Sequence, residues 1–125
     1  MTRALSIVFT LLLSTSANAF ISSGDQIVCD GFANQFLFLV GSSVTDSMGN
    51  TVVPRQFSGS FENKKFDEAE KGNVFFREVD ENRFEVVTDE DDRAIGQIED
   101  FGQLAFSRII RGGAKHLTNC RYREL

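Results

Sequence analysis

Five runs of alternating or apolar residues follow one another between residues 73 and 122, where the chain reads NVFFREVDENRFEVVTDEDDRAIGQIEDFGQLAFSRIIRGGAKHLTNCRY. Clusters of Asp, Glu, Asn and Gly separate the runs, which is the pattern typical of strands and turns. In the second run Phe84 and Val86 share one face, as alternation in a strand requires. The stretch therefore predicts a five-stranded antiparallel meander. Its strands are expected at 74–79, 83–88, 94–99, 103–110 and 115–122.

Three further strands are predicted upstream, at 26–30, 35–40 and 56–61. In the second of these, Leu37 and Leu39 make one face as apolar as the other, which predicts a strand that is covered on both faces. The total of about eight evenly spaced strands predicts an all-β fold. We expect a small antiparallel up-and-down barrel, with a sandwich as the alternative.

Two segments between these strands have weaker patterns. Polar residues and the single proline dominate 41–55, which predicts a loop with one short strand at 51–53. In 62–72 the apolar residues are Phe66 and Ala69, three positions apart, and a glycine follows where a helix could end. The sequence leaves helix and strand open for 62–72.

Residues 1–19 have the three-part form of a secretory signal peptide. Arg3 precedes an apolar stretch at 4–13, and Ala17 and Ala19 occupy the positions that a signal peptidase reads. The alternative, a transmembrane anchor, requires roughly 20 apolar residues, about twice the length present. We therefore expect cleavage after Ala19, an unanchored periplasmic or secreted protein, and a single β-rich domain at 20–125.

The two cysteines, Cys29 and Cys120, both remain after this cleavage. Export places them where disulfides persist, and their wide separation differs from the Cys-x-x-Cys spacing of redox sites. A Cys29–Cys120 disulfide is the prediction, and two buried free thiols are the alternative. Such a bridge would join the first and last strands, which favours the barrel over the sandwich.

Composition and motifs argue against several functions. Loss of Arg3 takes the net charge from -5 to -6, whereas a general nucleic-acid binder needs clustered basic residues. His116 is the only histidine, so a zinc site lacks ligands, and no serine lies in a Gly-x-Ser-x-Gly elbow. The acidic run 89–92 lacks the EF-hand glycine and glutamate, which indicates a solvated turn, with an irregular calcium site as the alternative. We expect no cofactor, no metal and no catalytic residues.

One known family is similar in outline. The exported size, the Cys29-Asp30-Gly31 motif just after the signal and the second cysteine near the end resemble the periplasmic inhibitors of C-type lysozyme. The resemblance covers the size, this first cysteine motif and the expected barrel, and it implies an inhibitor-like role. The Ser-Gly loop that such inhibitors insert into the enzyme cleft has its nearest match at Ser58-Gly59-Ser60-Phe61, within a predicted strand.

Three functional hypotheses follow. The first is a binding protein that acts through its loops on another envelope or secreted protein, because the irregular segments carry most of the surface variety. The second is a carrier of a small apolar ligand in a barrel interior lined by some of the twelve phenylalanines that follow the signal. The third is an enzyme of unrecognised type.

Acidic residues indicate where a partner would bind. In a meander alternate turns lie at opposite ends, so the turns at 80–82 and 100–102 should share one rim, with 89–93 at the other. Asp80, Glu81 and Asp100 would then form a negative patch suited to a basic protein partner. The alternative is that these acids serve only solubility, and the loop 41–55 is the next candidate surface.

Overall fold

Eight antiparallel strands form a closed barrel in the computed structural model, which describes residues 20–31, 34–65 and 68–123. Each strand pairs with the next along the chain, and the last pairs with the first. The predicted up-and-down barrel is confirmed, and the sandwich alternative is wrong. The strands are β1 (Gln26–Asp30), β2 (Asn34–Ser43), β3 (Gln56–Lys65), β4 (Glu68–Asp80), β5 (Arg83–Thr88), β6 (Ala94–Asp100), β7 (Leu104–Ile109) and β8 (Lys115–Tyr122).

Phenylalanine side chains fill the centre of the barrel. Phe38, Phe76, Phe84 and Phe106 are fully buried, each on the inward face of its strand. The ring centroids of Phe38 and Phe106 lie 4.9 Å apart, with the rings close to perpendicular. Edge-to-face packing of this kind adds to the stabilisation that burial of the rings provides. Strands with one inward apolar face thus meet in a single core.

The segment 62–72 is an extension of a hairpin. Strand β3 continues to Lys65 and β4 begins at Glu68, with Glu62 opposite Lys71 in the ladder. The strand alternative is confirmed, and the helix alternative is wrong. Opposite charges across an antiparallel pair stabilise it, and the ladder satisfies the backbone hydrogen-bonding groups of both strands. Phe66 lies outside the described residues.

The junction between β1 and β8 closes the barrel. It has three paired positions, from Ile27 opposite Tyr122 to Cys29 opposite Cys120. The predicted disulfide is present between Cys29 and Cys120, so the free-thiol alternative is wrong. Arg121 also forms an ion pair with Asp30 across the same junction. Covalent and ionic links therefore supplement a short ladder.

Residues 20–25 cover one end of the barrel. Ile21 is 1% exposed, and the ring of Phe20 lies edge-on to Phe84 with centroids 5.4 Å apart. The backbone N–H of Gly24 donates to the carbonyl of Val40 at 2.8 Å, which fixes the segment to β2. Its apolar residues thus extend the core to this end. Residues 1–19, including the predicted signal peptide, lie outside the described residues.

The single tyrosine reports on this covering segment. The hydroxyl of Tyr122 donates to the carbonyl of Phe20, and burial followed by the charges of Asp25 and Asp100 raises the pKa of Tyr122 to about 12. The neutral phenol is therefore favoured in the folded state. Its stabilising effect is complete below the ordinary pKa of about 10 and is lost as the pH rises through about 12.

We expect the ultraviolet absorbance of tyrosinate to titrate near 12 in the folded protein. A midpoint near that of the same protein in denaturant would contradict this contact.

Some local expectations differ from the structure. Strand β2 is longer than predicted, and Leu39 on its outer face is 39% exposed, so the expectation of two covered faces is wrong there. An apolar outer face is tolerated because single exposed apolar side chains are common on protein surfaces. The expected strand at 51–53 is a single bridge between Thr45 and Thr51. Among the described residues no helix is long and apolar enough to span a membrane.

Candidate functional site

The turns that carry the acidic rim, defined as Asp80, Glu81 and Asp100, lie side by side. The side-chain Nδ2 of Asn82 donates to the carbonyl of Asp100 at 2.8 Å. The backbone N–H of Asp100 donates in return to the carbonyl of Asn82 at 2.9 Å. The predicted placement of these turns at one end is confirmed, and the turn 89–93 lies at the opposite end, as the order of strands requires.

The carboxylate of Asp80 already has hydrogen-bond partners within the protein. Its Oδ2 atom lies 2.6 Å from Nη2 of Arg83, and its Oδ1 accepts the backbone N–H of Asn82 at 2.9 Å. The hydrogen bond from Arg83, followed by that from Asn82, lowers the pKa of Asp80. This carboxylate is ionised at neutral pH, but part of its charge is compensated.

The other two acids contribute differently. Glu81 is exposed at the tip of its turn, and it makes no ion pair within the described ranges. Oδ1 of Asp100 accepts the backbone N–H of Gly102 at 3.1 Å, which shapes the turn around Phe101. Glu81 and Asp100 therefore carry most of the uncompensated negative charge of the rim.

Exposed apolar side chains accompany these acids, and sequence reasoning missed them. Phe101 is 66% exposed on the turn between β6 and β7. Val79 and Tyr122 at the same end are 46% and 43% exposed. The signal in the sequence is that Phe101 stands inside a turn, away from any alternating pattern. The rim thus combines carboxylates with an exposed aromatic ring.

The loop 44–55 lies at this end too, because it connects β2 to β3. Oδ1 of Asp46 accepts the backbone N–H groups of Met48 at 2.9 Å and Asn50 at 3.0 Å. Met48 and Val53 are 81% and 93% exposed. The loop and the acidic rim, which the sequence presents as alternative surfaces, therefore belong to one end of the barrel.

The acidic run 89–92, at the opposite end, is organised as a turn. Asp91 accepts a hydrogen bond from the hydroxyl of Thr88, which lowers the pKa of Asp91. Asp92 lies 3.4 Å from Nη2 of Arg77. In the described part of the chain no cluster of three acidic, histidine or cysteine side chains has the geometry to hold a metal ion. His116 is exposed on β8.

A cavity of about 500 Å³ lies at the same end as this turn, which we call the Arg108 end. Phe36, Phe61 and Phe106 form its apolar side, and Asn63 and Arg108 are among its polar residues. The centre of the barrel beyond it is occupied by side chains, so an apolar ligand deep inside would have to displace phenylalanines.

Comparisons with family models, curated proteins and solved structures found no significant match to this chain.

Proposed function

We propose that this chain is an exported binding protein that acts on a basic envelope or secreted protein through the acidic rim. The observation that carries the proposal is the exposed ring of Phe101, held beside carboxylates by two turns that hydrogen-bond to each other. Export rests on the signal-peptide pattern of residues 1–19. The role is accessory or inhibitor-like, acting by contact rather than by catalysis.

An exposed aromatic ring on an ordered turn is suited to protein recognition. Aromatic side chains provide a large apolar contact area with little loss of side-chain freedom, and they are enriched among the residues that dominate binding energy. Phe101 is flanked in sequence by Asp100 and by Gly102, whose N–H fixes the Asp100 side chain. The backbone that carries the ring is therefore ordered before binding, which reduces the backbone entropy lost on binding.

Charge at this end favours a basic partner. The chain carries a net charge of -5, and Asp25 and Asp100 act together on the Tyr122 phenol. A negative patch of this kind accelerates encounters with a positive surface, and salt screens the attraction over roughly 8 Å at physiological ionic strength. The partner's contact site should carry Lys or Arg around an apolar depression.

Neutralising the rim tests this proposal. We expect the triple variant Asp80→Asn, Glu81→Gln and Asp100→Asn to slow association with the partner about tenfold at low salt. Each amide keeps one acceptor oxygen for the backbone N–H of Asn82 or Gly102, and the Asp80–Arg83 ion pair that is lost lies at the surface, so the fold should be retained. A partner captured from envelope extract by the immobilised protein supplies the ligand, and stopped-flow mixing measures its association rate.

A matched control is available at the other end. The triple variant Asp89→Asn, Glu90→Gln and Asp92→Asn changes the net charge by the same amount, and it should alter association much less. Phe101→Ser should instead raise the dissociation rate about tenfold or more, because a hot-spot ring acts in the bound state. Equal effects of the two triple variants, together with no effect of Phe101→Ser, would reject the rim as the binding surface.

A further inference from the structure

Strand β4 has an open edge at the Arg108 end of the barrel. Its first part, residues 68–72, pairs with β3 on one side. On the other side the ladder with β5 begins at Val74 opposite Thr88, so residues 68–72 have no neighbouring strand there among the described residues. Full closure of a barrel removes strand edges, because every strand then has two neighbours. This part of β4 can therefore accept a further strand.

The free hydrogen-bonding groups of this edge belong to Ala69 and Lys71. In an antiparallel strand the backbone groups of alternate residues point to opposite neighbours. The carbonyl of Asn73 accepts the backbone N–H of Asp89 at 3.0 Å, so Asn73 faces the β5 side. Ala69 and Lys71 are in step with Asn73, and they therefore face the open side. Each offers one donor and one acceptor to an added strand.

The structure has space beside this edge. A gap of about 310 Å³ is lined by Lys71 and Gly72 from the edge and by Asp89 and Glu90 from the turn 89–93. Lys71 is exposed and Gly72 is partly exposed, so the gap can be reached from solvent. It lies where β5 would continue if the chain did not turn away after its last residue. An added strand would begin in this gap.

The lining of the gap favours a positively charged occupant. Three exposed acidic side chains contribute to it, those of Glu70, Asp89 and Glu90. None of the three forms an ion pair within the part of the chain that the structure describes. Of the two cations, Arg93 has its Nε 3.7 Å from Oδ2 of Asp91, and Lys71 stands opposite Glu62 in the β3 ladder. The uncompensated charge is therefore negative.

The geometry also sets the direction of an added strand. Placed antiparallel to β4, it runs in the same direction as β5 and begins just beyond Thr88. The turn 89–93 closes the line at that point, so the added chain has to start there. Its first amino group then lies beside Asp89 and Glu90. With its second residue opposite Lys71, its third residue lies opposite Glu70, and these two side chains share one face.

A second copy of this chain does not fit the edge. Two β4 edges related by a two-fold axis pair antiparallel, with residues of the same face opposite one another. Pairing centred on Glu70 or on Lys71 sets that residue opposite its own copy, and pairing centred on Ala69 sets Glu70 opposite Glu68. Like charges directly opposite destabilise a strand pair. Charges on an edge strand commonly prevent self-association in this way.

We infer that the β4 edge binds the N-terminal end of an extended partner chain that has a free amino group and a basic third residue. The backbone of its second and fourth residues bonds to Lys71 and Ala69, as in other cases of strand addition to a sheet edge. Its amino group faces Asp89 and Glu90. The site lies at the opposite end of the barrel from the acidic rim, so it is a second binding surface beyond the proposed function.

The test uses the peptide Val-Thr-Lys-Thr-Val with a C-terminal amide, whose β-branched residues favour an extended chain. Backbone NMR shifts of the oxidised protein report where the peptide binds, and a titration gives its affinity. We expect saturable shifts at Ala69, Lys71 and the turn 89–93. The N-acetylated peptide and the analogue with Gln at its third position should each bind about threefold more weakly, the size expected for an exposed ion pair.

Two N-methylated peptides separate backbone pairing from charge attraction. The N–H of the second residue faces β4, whereas the N–H of the third residue points away from it. Methylation of the second amide should weaken binding about tenfold or more, because a hydrogen bond is lost and a methyl group enters the strand interface. Methylation of the third amide keeps the same charge and should weaken binding much less.

Variants of the protein assign the contacts. Lys71→Pro removes the N–H on the open side and no bond of the β3 ladder, so it should abolish binding, whereas Lys71→Gln keeps this N–H and should retain binding. Asp89→Asn combined with Glu90→Gln should abolish the preference for the free amino group. Glu70→Gln should abolish the preference for lysine at the third position. Unchanged NMR dispersion shows that each variant is folded.

The inference is overturned if the peptide causes no saturable shifts at the β4 edge. It is also overturned if the two methylated peptides bind alike, or if the free and acetylated peptides do. These comparisons use the wild-type protein, so they decide the matter even if Lys71→Pro fails to fold. None of them bears on the rim, whose test measures association of a protein at the other end.

Discussion

Loss of the Cys29–Cys120 disulfide is expected to lower the free energy of unfolding by up to about 4.6 kcal/mol. The two cysteines are 91 residues apart in sequence, so the disulfide restricts the conformations of nearly all the barrel-forming residues when the chain is unfolded. A small domain has a total stability of about 5–15 kcal/mol. The reduced barrel should therefore be marginally stable.

Urea unfolding of the oxidised and reduced protein measures this difference, with Cys29→Ala and Cys120→Ala combined as a variant that cannot form the bridge. That double variant should unfold at the same urea concentration with and without reductant, which controls for effects of the reductant itself. Coincident unfolding curves for oxidised and reduced wild type would show that the bridge contributes nothing. The junction it closes has three paired positions between β1 and β8, so we expect opening to begin there.

The barrel could be predicted from the sequence because most strands have a recognisable inward face and short turns. Strands β5 and β8 have the predicted bounds, since turn residues delimit them on both sides. The hairpin at 62–72 was ambiguous for a physical reason. Its ladder extends beyond the central core, so polar side chains replace the apolar alternation on which strand prediction depends.

The candidate surfaces, too, could be predicted from the sequence only in part. The turns at 80–82 and 100–102 are adjacent because two strands separate them, and the same count of strands places the loop 44–55 at their end of the barrel. The ion pair of Asp80 with Arg83 depends on side-chain geometry and could not be foreseen. The same holds for Asn63, whose side-chain Oδ1 atom is buried without a hydrogen-bond partner among the described residues, because distant segments of the chain set its environment.

The aromatic core requires glycine at two inward positions, Gly59 in β3 and Gly96 in β6. A Cβ atom at Gly59 would overlap the carbonyl oxygen of Leu39 and would lie 2.6 Å from Cε2 of Phe76. At Gly96 it would lie 2.6 Å from Cε1 of Phe106. Both rings are fully buried, so neither can move aside without displacing the packing around it.

We expect Gly59→Ala to lower the free energy of unfolding by about 3 kcal/mol, the upper part of the usual range for overpacking, because a backbone oxygen as well as a ring must shift. Gly72→Ala is the matched control on the neighbouring strand, since its Cβ would lie 3.3 Å from Cε1 of Phe61 and meet no backbone atom. It should change stability by less than about 1 kcal/mol, because the contact is looser and alanine restricts the unfolded chain. Urea unfolding of the two oxidised variants gives the comparison. A loss for Gly59→Ala as small as that expected for Gly72→Ala would contradict this prediction. It would mean that the ring of Phe76 yields to an added methyl group, and that the centre of the barrel is deformable rather than close-packed.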